Sequence, residues 1–165
     1  MYHTDVVDNI TKDYIDDLDP SFELDFLVGK SIGLFTHFVS VDKDDYHELD
    51  EQIISTLIKN KIDRMGEYLI NLETNFTMLS SSWSPSTDAT HTAYLIEEYR
   101  PAINFIQIND KQHICVVIIY SHLVMPHLLT PNHTQQVYTA TDTNFIKAFC
   151  KAIILFHHDI GDSYA

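Results

Sequence analysis

Basic residues are scarce in this sequence. Ten lysines and arginines stand against 24 aspartates and glutamates, so the formal net charge is −14 at pH 7. A field of this sign repels phosphate backbones and acidic membrane surfaces, and it attracts cationic proteins. The charge therefore argues against direct nucleic-acid binding and predicts a basic protein as the partner.

Glycine is also scarce, with four residues in 165. No GxGxxG or GxxxxGK[ST] spacing occurs, which excludes the usual loops that bind dinucleotides and nucleotide phosphates. The sequence also lacks HExxH, paired CxxC and GxSxG, the patterns of metalloproteases, zinc modules and serine hydrolases. We therefore expect a protein that is not an enzyme and that uses no cofactor or metal.

Long apolar runs are absent. No run approaches the 18 or so residues that a membrane span needs, and the first ten residues lack the basic flank and apolar core of a signal peptide. Cys115 and Cys150 both lie among apolar residues, which is typical of reduced, buried thiols. These features predict a cytoplasmic protein without membrane contacts.

The apolar content is sufficient for one packed core. Hydrophobic residues make up 45% of the chain and charged residues 21%, and a domain of this length removes about 70% of its unfolded surface from water. There is no internal repeat or Pro/Gly-rich linker. We predict a single α+β domain over residues 1–165, in which a mostly antiparallel sheet is packed by helices.

Periodicity predicts the individual elements. Helical spacing favours helices over residues 4–18, with Thr4 as N-cap, over 44–74, and over 141–160, capped near Thr141 to Thr143. The apolar stripe of the second helix drifts at residues 59–61, so this segment is either one bent helix or two helices. Residues 22–26 are ambiguous, because Asp19-Pro20 before them is also a good helix opening. Their alternation favours a strand that turns at residues 29–30 into a second strand ending near Val41. Residues 77–92 indicate a loop, and 92–99 fit either a strand or a short helix.

A hairpin is predicted in the second half of the chain. Its two strands flank residues 109–112, and the second strand is expected to be buried on both faces. A short strand is predicted to follow at residues 135–140.

Residues 13–26, DYIDDLDPSFELDF, contain six carboxylates and no basic side chain. The same bias continues over residues 42–51. Three interpretations remain open: a docking surface for a cationic partner, the solvated side of two ordinary elements, or a calcium loop. The calcium loop lacks the glycine and terminal glutamate of an EF-hand, and Pro20 interrupts it.

Aromatic side chains lie among these carboxylates, as expected for the apolar anchors of an interface. The predicted function is an acidic inhibitor of the immunity-protein type, which covers the cationic active site of a nuclease-type toxin. An acidic adaptor or a nucleic-acid-mimicking anti-defence protein has the same features. The predicted partner-binding residues are Asp13, Tyr14, Asp16, Asp17, Asp19, Phe22, Glu23, Asp25, Asp44, Asp45, Tyr46 and Glu48.

The ten histidines support a competing hypothesis. His122, His127 and His133 would be the centre of a metal-dependent or histidine-based hydrolase, with residues 157–159 as a second cluster. His37, His113 and Tyr120 are further catalytic candidates. The spacing of these histidines matches no metal-ligand motif, however. The simpler interpretation is that the candidate side chains lie at the edge of the core. His157 and His158 then act as cations at a helix C-terminus.

Protonation of the histidines would also change the strength of any contact that depends on charge. Protonating all ten histidines would change the formal charge from −14 to −4. The field should therefore weaken as the pH falls through roughly 6.5.

Overall fold

The computed structural model describes residues 10–42, 49–121 and 135–164. The α+β prediction is confirmed, because helices and antiparallel strands both contribute to the described chain. These residues form two compact units, residues 32–83 and residues 10–31 with 84–164. Each unit has its own sheet, whereas one sheet was predicted. That the units make up one domain stays a prediction.

In its described residues, the first unit has a three-stranded antiparallel sheet and one α-helix. Its strands are β1 (His37–Val41), β2 (Gly66–Asn71) and β3 (Phe76–Leu79), in the order β1-β2-β3, and its helix is α3 (Glu51–Lys59). A short 3-10 helix, Ser80–Ser82, follows β3. The core of the unit contains Val39, Val41, Ile53, Leu57, Tyr68 and Ile70.

The second unit has a four-stranded antiparallel sheet and four helices in the described residues. The strands are β4 (Ala102–Asn109), β5 (Gln112–Tyr120), β6 (Gln135–Asp142) and β7 (Asp162–Tyr164), in that order across the sheet. The helices are α1 (Lys12–Asp17), α2 (Phe22–Ser31), α4 (Ala89–Tyr99) and α5 (Phe145–His157). Helix α5 packs on β5 and β6 and contacts α1 and α2.

The predicted first helix does not run from residue 4 to residue 18. Ile10 and Thr11 are not helical, and α1 begins at Lys12. The Thr11 side chain accepts a hydrogen bond from the Tyr14 amide at 3.2 Å, which makes Thr11 the N-cap. The predicted cap, Thr4, lies outside the described residues.

The predicted strand at residues 22–26 is wrong, because this segment is the start of α2. Six consecutive residues, 24–29, are buried there. A helix that is buried on nearly all sides has no clear polar face, so its sequence does not show the helical period. The acidic first turn, with Glu23 and Asp25, suits the positive end of the helix dipole.

The helix predicted over residues 44–74 is shorter in the structure, where α3 covers Glu51–Lys59 and a strand follows at residues 66–71. Asp50 caps α3 by accepting from the Gln52 amide at 2.8 Å. The helix ends at Lys59, and Lys61 then adopts a left-handed conformation with φ of 56°. Residues 66–71 form a strand with four consecutive buried residues, and such apolar runs do not distinguish a buried strand from a helix.

The later predictions agree better with the structure. The hairpin of β4 and β5 is confirmed, although β5 alternates between buried and half-buried residues instead of being buried on both faces. The strand at 135–140 and the last helix are also confirmed. Asn144 caps α5, one residue after the predicted region, by accepting from the Ile146 amide at 2.8 Å.

The ambiguous segment at residues 92–99 belongs to α4. This helix begins at Ala89, inside the predicted loop, and Asp88 caps it. Strand β3 and the 3-10 helix also take up part of that predicted loop. Among the described residues, no helix is long and apolar enough to cross a membrane.

Candidate acidic docking site

The structure separates the predicted partner-binding residues by their exposure. Asp13, Asp17, Asp19, Phe22 and Glu23 are exposed, whereas Tyr14 and Asp16 are half-buried. Asp44, Asp45, Tyr46 and Glu48 lie outside the described residues. We call the carboxylates at positions 13, 16, 17, 19 and 23 the acidic patch.

Helix α1 presents two of these carboxylates directly to solvent. Ile15 is fully buried and fixes the inward side of this short helix. At 100° per residue, Asp13 and Asp17 each lie about 160° around the helix axis from Ile15. Neither has an ion pair within the described part of the chain. Their charges therefore face outward without local neutralisation.

A side-chain hydrogen bond joins α1 to the first turn of α2. The Tyr14 hydroxyl donates to a carboxylate oxygen of Glu23. Burial, followed by the hydrogen bond to Glu23 and its charge, raises the pKa of Tyr14 to about 12. Tyr14 is therefore a neutral donor at physiological pH, and it holds Glu23 beside α1.

Phe22 supplies an apolar side chain next to these charges. It is 44% exposed and stacks on the buried Phe26, with 5.9 Å between the ring centroids. The ring is therefore supported by Phe26 and stays partly exposed to solvent. A rigid aromatic group of this kind is suited to act as an interface anchor.

Asp25 does not belong to the exposed binding face, although the sequence predicted that it would. It is only 6% exposed, and it accepts a hydrogen bond from the Ser86 amide at 2.6 Å. Burial raises the pKa of Asp25, while the hydrogen bonds from Ser86 and the charge of His91 act in the opposite direction. This carboxylate connects α2 to the segment before α4 and is not available to a partner.

The acidic patch has more counter-charge than its local sequence indicates. Lys12 pairs with Asp16 at 2.8 Å within α1. Lys147, from α5, lies 3.5 Å from Asp19, whose side chain is 92% exposed. Although residues 13–26 contain no basic side chain, Asp16 and Asp19 therefore have basic neighbours from outside that segment.

Lys151 is the buried centre of this charge network. It is 2% exposed, and its ammonium group lies 3.0 Å from Asp142 Oδ2 and 2.6 Å from the carbonyl oxygen of Asp16. That carbonyl belongs to the last turn of α1, where backbone acceptors lack intrahelical donors. Lys151 therefore holds the C-terminal end of α1 against the sheet.

Asp142 completes the network at the end of β6. Burial alone raises the pKa of Asp142, but the hydrogen bond and charge of Lys151, with smaller contributions from the Asn144 amide and Lys147, lower it below the ordinary value. Together with the acidic patch, Asp142 makes six carboxylates against three lysines. The region keeps a formal charge of −3.

An open cleft of about 330 Å³ separates α1 from the end of β6 and the start of α5. Asp16, Asp17, Asp19 and Asp142 line it together with Lys147 and Lys151. The two lysines balance two of these four carboxylates, so the cleft keeps a formal charge of −2. Asp17 lies at its exposed rim, while Asp13 and Glu23 carry the negative surface outside it.

The histidine hypothesis gains no site from the described residues. His122, His127 and His133 lie outside them, and within them no group of three or more His, Cys, Asp or Glu side chains is placed to hold a metal. His37 lies on β1 and His113 on β5, which belong to different sheets.

The two histidines at the end of α5 differ from the expected cations. His157 Nε2 lies 2.5 Å from the Tyr99 hydroxyl, and burial, then the neighbouring charge of His158, lowers the pKa of His157. Burial, then the charge of Lys30, lowers the pKa of His158. Both imidazoles are therefore mostly neutral at pH 7.

Comparison of the chain with protein-family models, with curated proteins and with solved structures found no match.

Sequence reasoning missed Lys147 and Lys151 as members of this site. Both lie more than 120 residues from α1, so no local window shows them beside its carboxylates. One signal was present: they are spaced i, i+4 on the most apolar of the described helices. Lysines on such a helix need a nearby acid if they are buried.

Proposed function

We propose that this chain is a protein-binding inhibitor whose acidic patch docks on a basic protein. The observation that carries the proposal is the outward placement of Asp13 and Asp17, with no ion pair in the described chain, next to the exposed ring of Phe22. This combination of uncompensated charge and apolar anchor suits a cationic protein surface.

The proposed partner class is a nuclease-type toxin, and the role is that of an immunity protein. A nuclease active site binds phosphate and therefore concentrates lysine and arginine. An acidic surface covers such a site without any catalytic group of its own. The −14 charge of the whole chain supports fast encounter with this partner, since opposite charges raise association rates at low salt.

The internal ion pairs refine which residues would act at this interface. Asp16 and Asp19 already interact with Lys12 and Lys147, so a partner lysine or arginine gains less from them. Asp13, Asp17 and Glu23 carry the larger share of the proposal. Tyr14 positions Glu23, and Phe22 provides the apolar contact.

The test begins with capture of proteins from the source cell at low salt and at about 0.5 M salt, where the Debye length is only a few Å. A retained basic protein is then purified, and its nuclease activity is measured with and without the chain. The proposal expects salt-sensitive retention and inhibition. Absence of any basic protein at low salt refutes it, and retention without inhibition of a nuclease refutes the immunity role.

A charge-reversal pair localises the contact. Asp13→Lys with Asp17→Lys should lower the association rate constant at least tenfold at low salt. The matched control, Asp63→Lys with Glu73→Lys, makes the same change of charge at exposed positions of the first unit and should lower it less than threefold. Equal effects of the two variants would show that net charge alone acts, as expected for an acidic surface that serves solubility.

A further inference from the structure

Strand β4 is an edge strand with apolar side chains exposed on both faces. In the sheet order it pairs with β5 and with no other described strand. Phe105 is 70% exposed, Ile106 and Ile108 are each 54% exposed, and Ile103 is 41% exposed. Such a strand offers unpaired backbone donors and acceptors beside an apolar surface.

On the face of the sheet that α5 covers, apolar residues of β4 are exposed because the helix does not extend over this strand. Ile103 lies opposite Val117 and Phe105 opposite Cys115 in the β4–β5 register, and both β5 residues are buried. Residues directly opposite in an antiparallel pair share one face. Helix α5 covers β5 and β6, so the core face of the sheet continues onto β4 beyond this cover.

Strand β4 lacks most of the features that keep an edge strand from pairing with another chain. Residues 102–109 contain no charged side chain and no proline, whereas natural edges are commonly blunted by both. The only irregularity is a register shift at Ile108, next to the turn. Residues 102–107 therefore form a regular edge that another strand can extend.

We propose that β4 pairs in antiparallel fashion with β4 of a second copy of this chain, so that two four-stranded sheets join into one. This inference is independent of the proposed function, because it uses no residue of the acidic patch. The acidic excess of the chain is concentrated in residues 1–50, so the uncharged edge brings no like charges together along its length.

The two ends of β4 are flanked by residues of opposite charge. In an antiparallel pairing centred on Phe105, the end of β4 near residue 100 in one copy lies beside the end near residue 110 in the other. These residues are Arg100, which ends α4, and Asp110, in the hairpin turn, and both are exposed. The twofold symmetry makes this contact twice, between Arg100 and Asp110 of the partner subunit, and opposite charges flank the uncharged strands.

The size of the contact fits a weak to moderate dimer. The four apolar side chains, two on each face of β4, together expose on the order of 400 Å² in each chain. With main chain and polar side chains included, two copies would bury about 1,000 to 1,200 Å², near the lower limit for specific interfaces. Pairing of residues 102–107 would add about six backbone hydrogen bonds.

The mass in solution tests the proposal directly. Sedimentation velocity over a concentration series should show a species of about twice 19.1 kDa at high concentration. Phe105→Lys should raise the dissociation constant of this dimer at least tenfold. The matched control is Ile58→Lys, since Ile58 is 63% exposed on α3 in the first unit, and it should leave the constant unchanged. A monomer at all concentrations, or equal effects of the two variants, overturns the proposal.

A charge swap tests the antiparallel register. Arg100→Glu should raise the dissociation constant roughly two- to tenfold because it creates two repulsive contacts. Adding Asp110→Arg to the same chain restores opposite charges and should return the constant toward the wild-type value. If the double variant is as weak as the single variant, the proposed register is wrong.

Cross-linking covers the case in which Phe105→Lys does not fold. Asn104 is exposed on β4, and its Cα would lie about 7 to 8 Å from the equivalent atom of the partner. Asn104→Cys should give a dimer with a short bis-maleimide, while Ser55→Cys, exposed on α3, should not. Cys115 and Cys150 are buried and should give no background. Equal cross-linking at both positions, or at neither, overturns the proposal.

Discussion

Replacing Lys151 with methionine removes the buried charge that connects α1 to the end of β6. The methionine fills a similar volume but offers no donor to Asp142 or to the Asp16 carbonyl. Both acceptors then remain at partly buried positions without their charged partner. We therefore expect Lys151→Met to destabilise the protein strongly.

The magnitude follows from the geometry of the pair. Loss of one partner of a buried ion pair typically costs 3 to 5 kcal/mol. Here the Asp142 side chain keeps 10% exposure, and Lys147 stays 3.7 Å from its other oxygen, so part of the charge is still compensated. We expect a decrease in the free energy of unfolding of about 2 to 4 kcal/mol.

Urea unfolding followed by far-UV circular dichroism measures this loss. The control is Lys147→Met, because Lys147 lies one helical turn earlier on α5 and makes only longer ion pairs, at 3.5 and 3.7 Å. That change should cost less than about 1 kcal/mol. If the two variants lose equal stability, the buried pair has no special role and the reasoning fails.

Two further predictions concern the same unit. The pKa of Asp142 is lowered in the folded chain, so its contribution to stability is present above the unfolded value of about 3.9 and is lost as the pH falls through the folded pKa. Urea midpoints measured down to acidic pH should therefore fall more steeply for wild type than for Asp142→Asn, and parallel curves would contradict this. Gly161→Ala places a Cβ 2.7 Å from both the Tyr138 ring and the Val137 carbonyl oxygen and should destabilise by about 1 to 3 kcal/mol. An unchanged urea midpoint would show that this contact relaxes freely.

Elements with strong local signals were predictable from the sequence. The β4–β5 hairpin is marked by two apolar strands around the polar residues 109–112, and α5 has both an N-cap and a polar C-terminus. These signals act within a few residues, so the sequence alone displays them.

Elements buried on several sides were not predictable in the same way. Helix α2 and strand β2 each contain at least four consecutive buried residues. Burial on all sides removes the alternation of polar and apolar positions on which periodicity depends. The surrounding chain decides their type, and a local window does not contain that information.

The sequence predicts the acidic charge of the site, but it does not predict which basic residues pair with the carboxylates. Asp13, Asp17 and Glu23 are exposed as the acidic pattern predicts, and Phe22 lies among them. Burial of Asp25 and the contacts of Lys147 and Lys151 depend on tertiary packing. The partner itself stays a prediction.

The order of elements along the chain has a consequence for folding during synthesis. Helices α1 and α2 belong to the same compact unit as α5, but residues 32–83 form the other unit between them. At 5–20 residues per second, α2 leaves the ribosome roughly 6 to 25 s before α5 is complete. During that interval α2, whose residues Leu24, Phe26, Leu27 and Val28 are buried in the folded chain, lacks the helix on which it packs. The nascent chain therefore carries an unpacked apolar segment through most of its synthesis, and chaperones that recognise such segments have time to bind it.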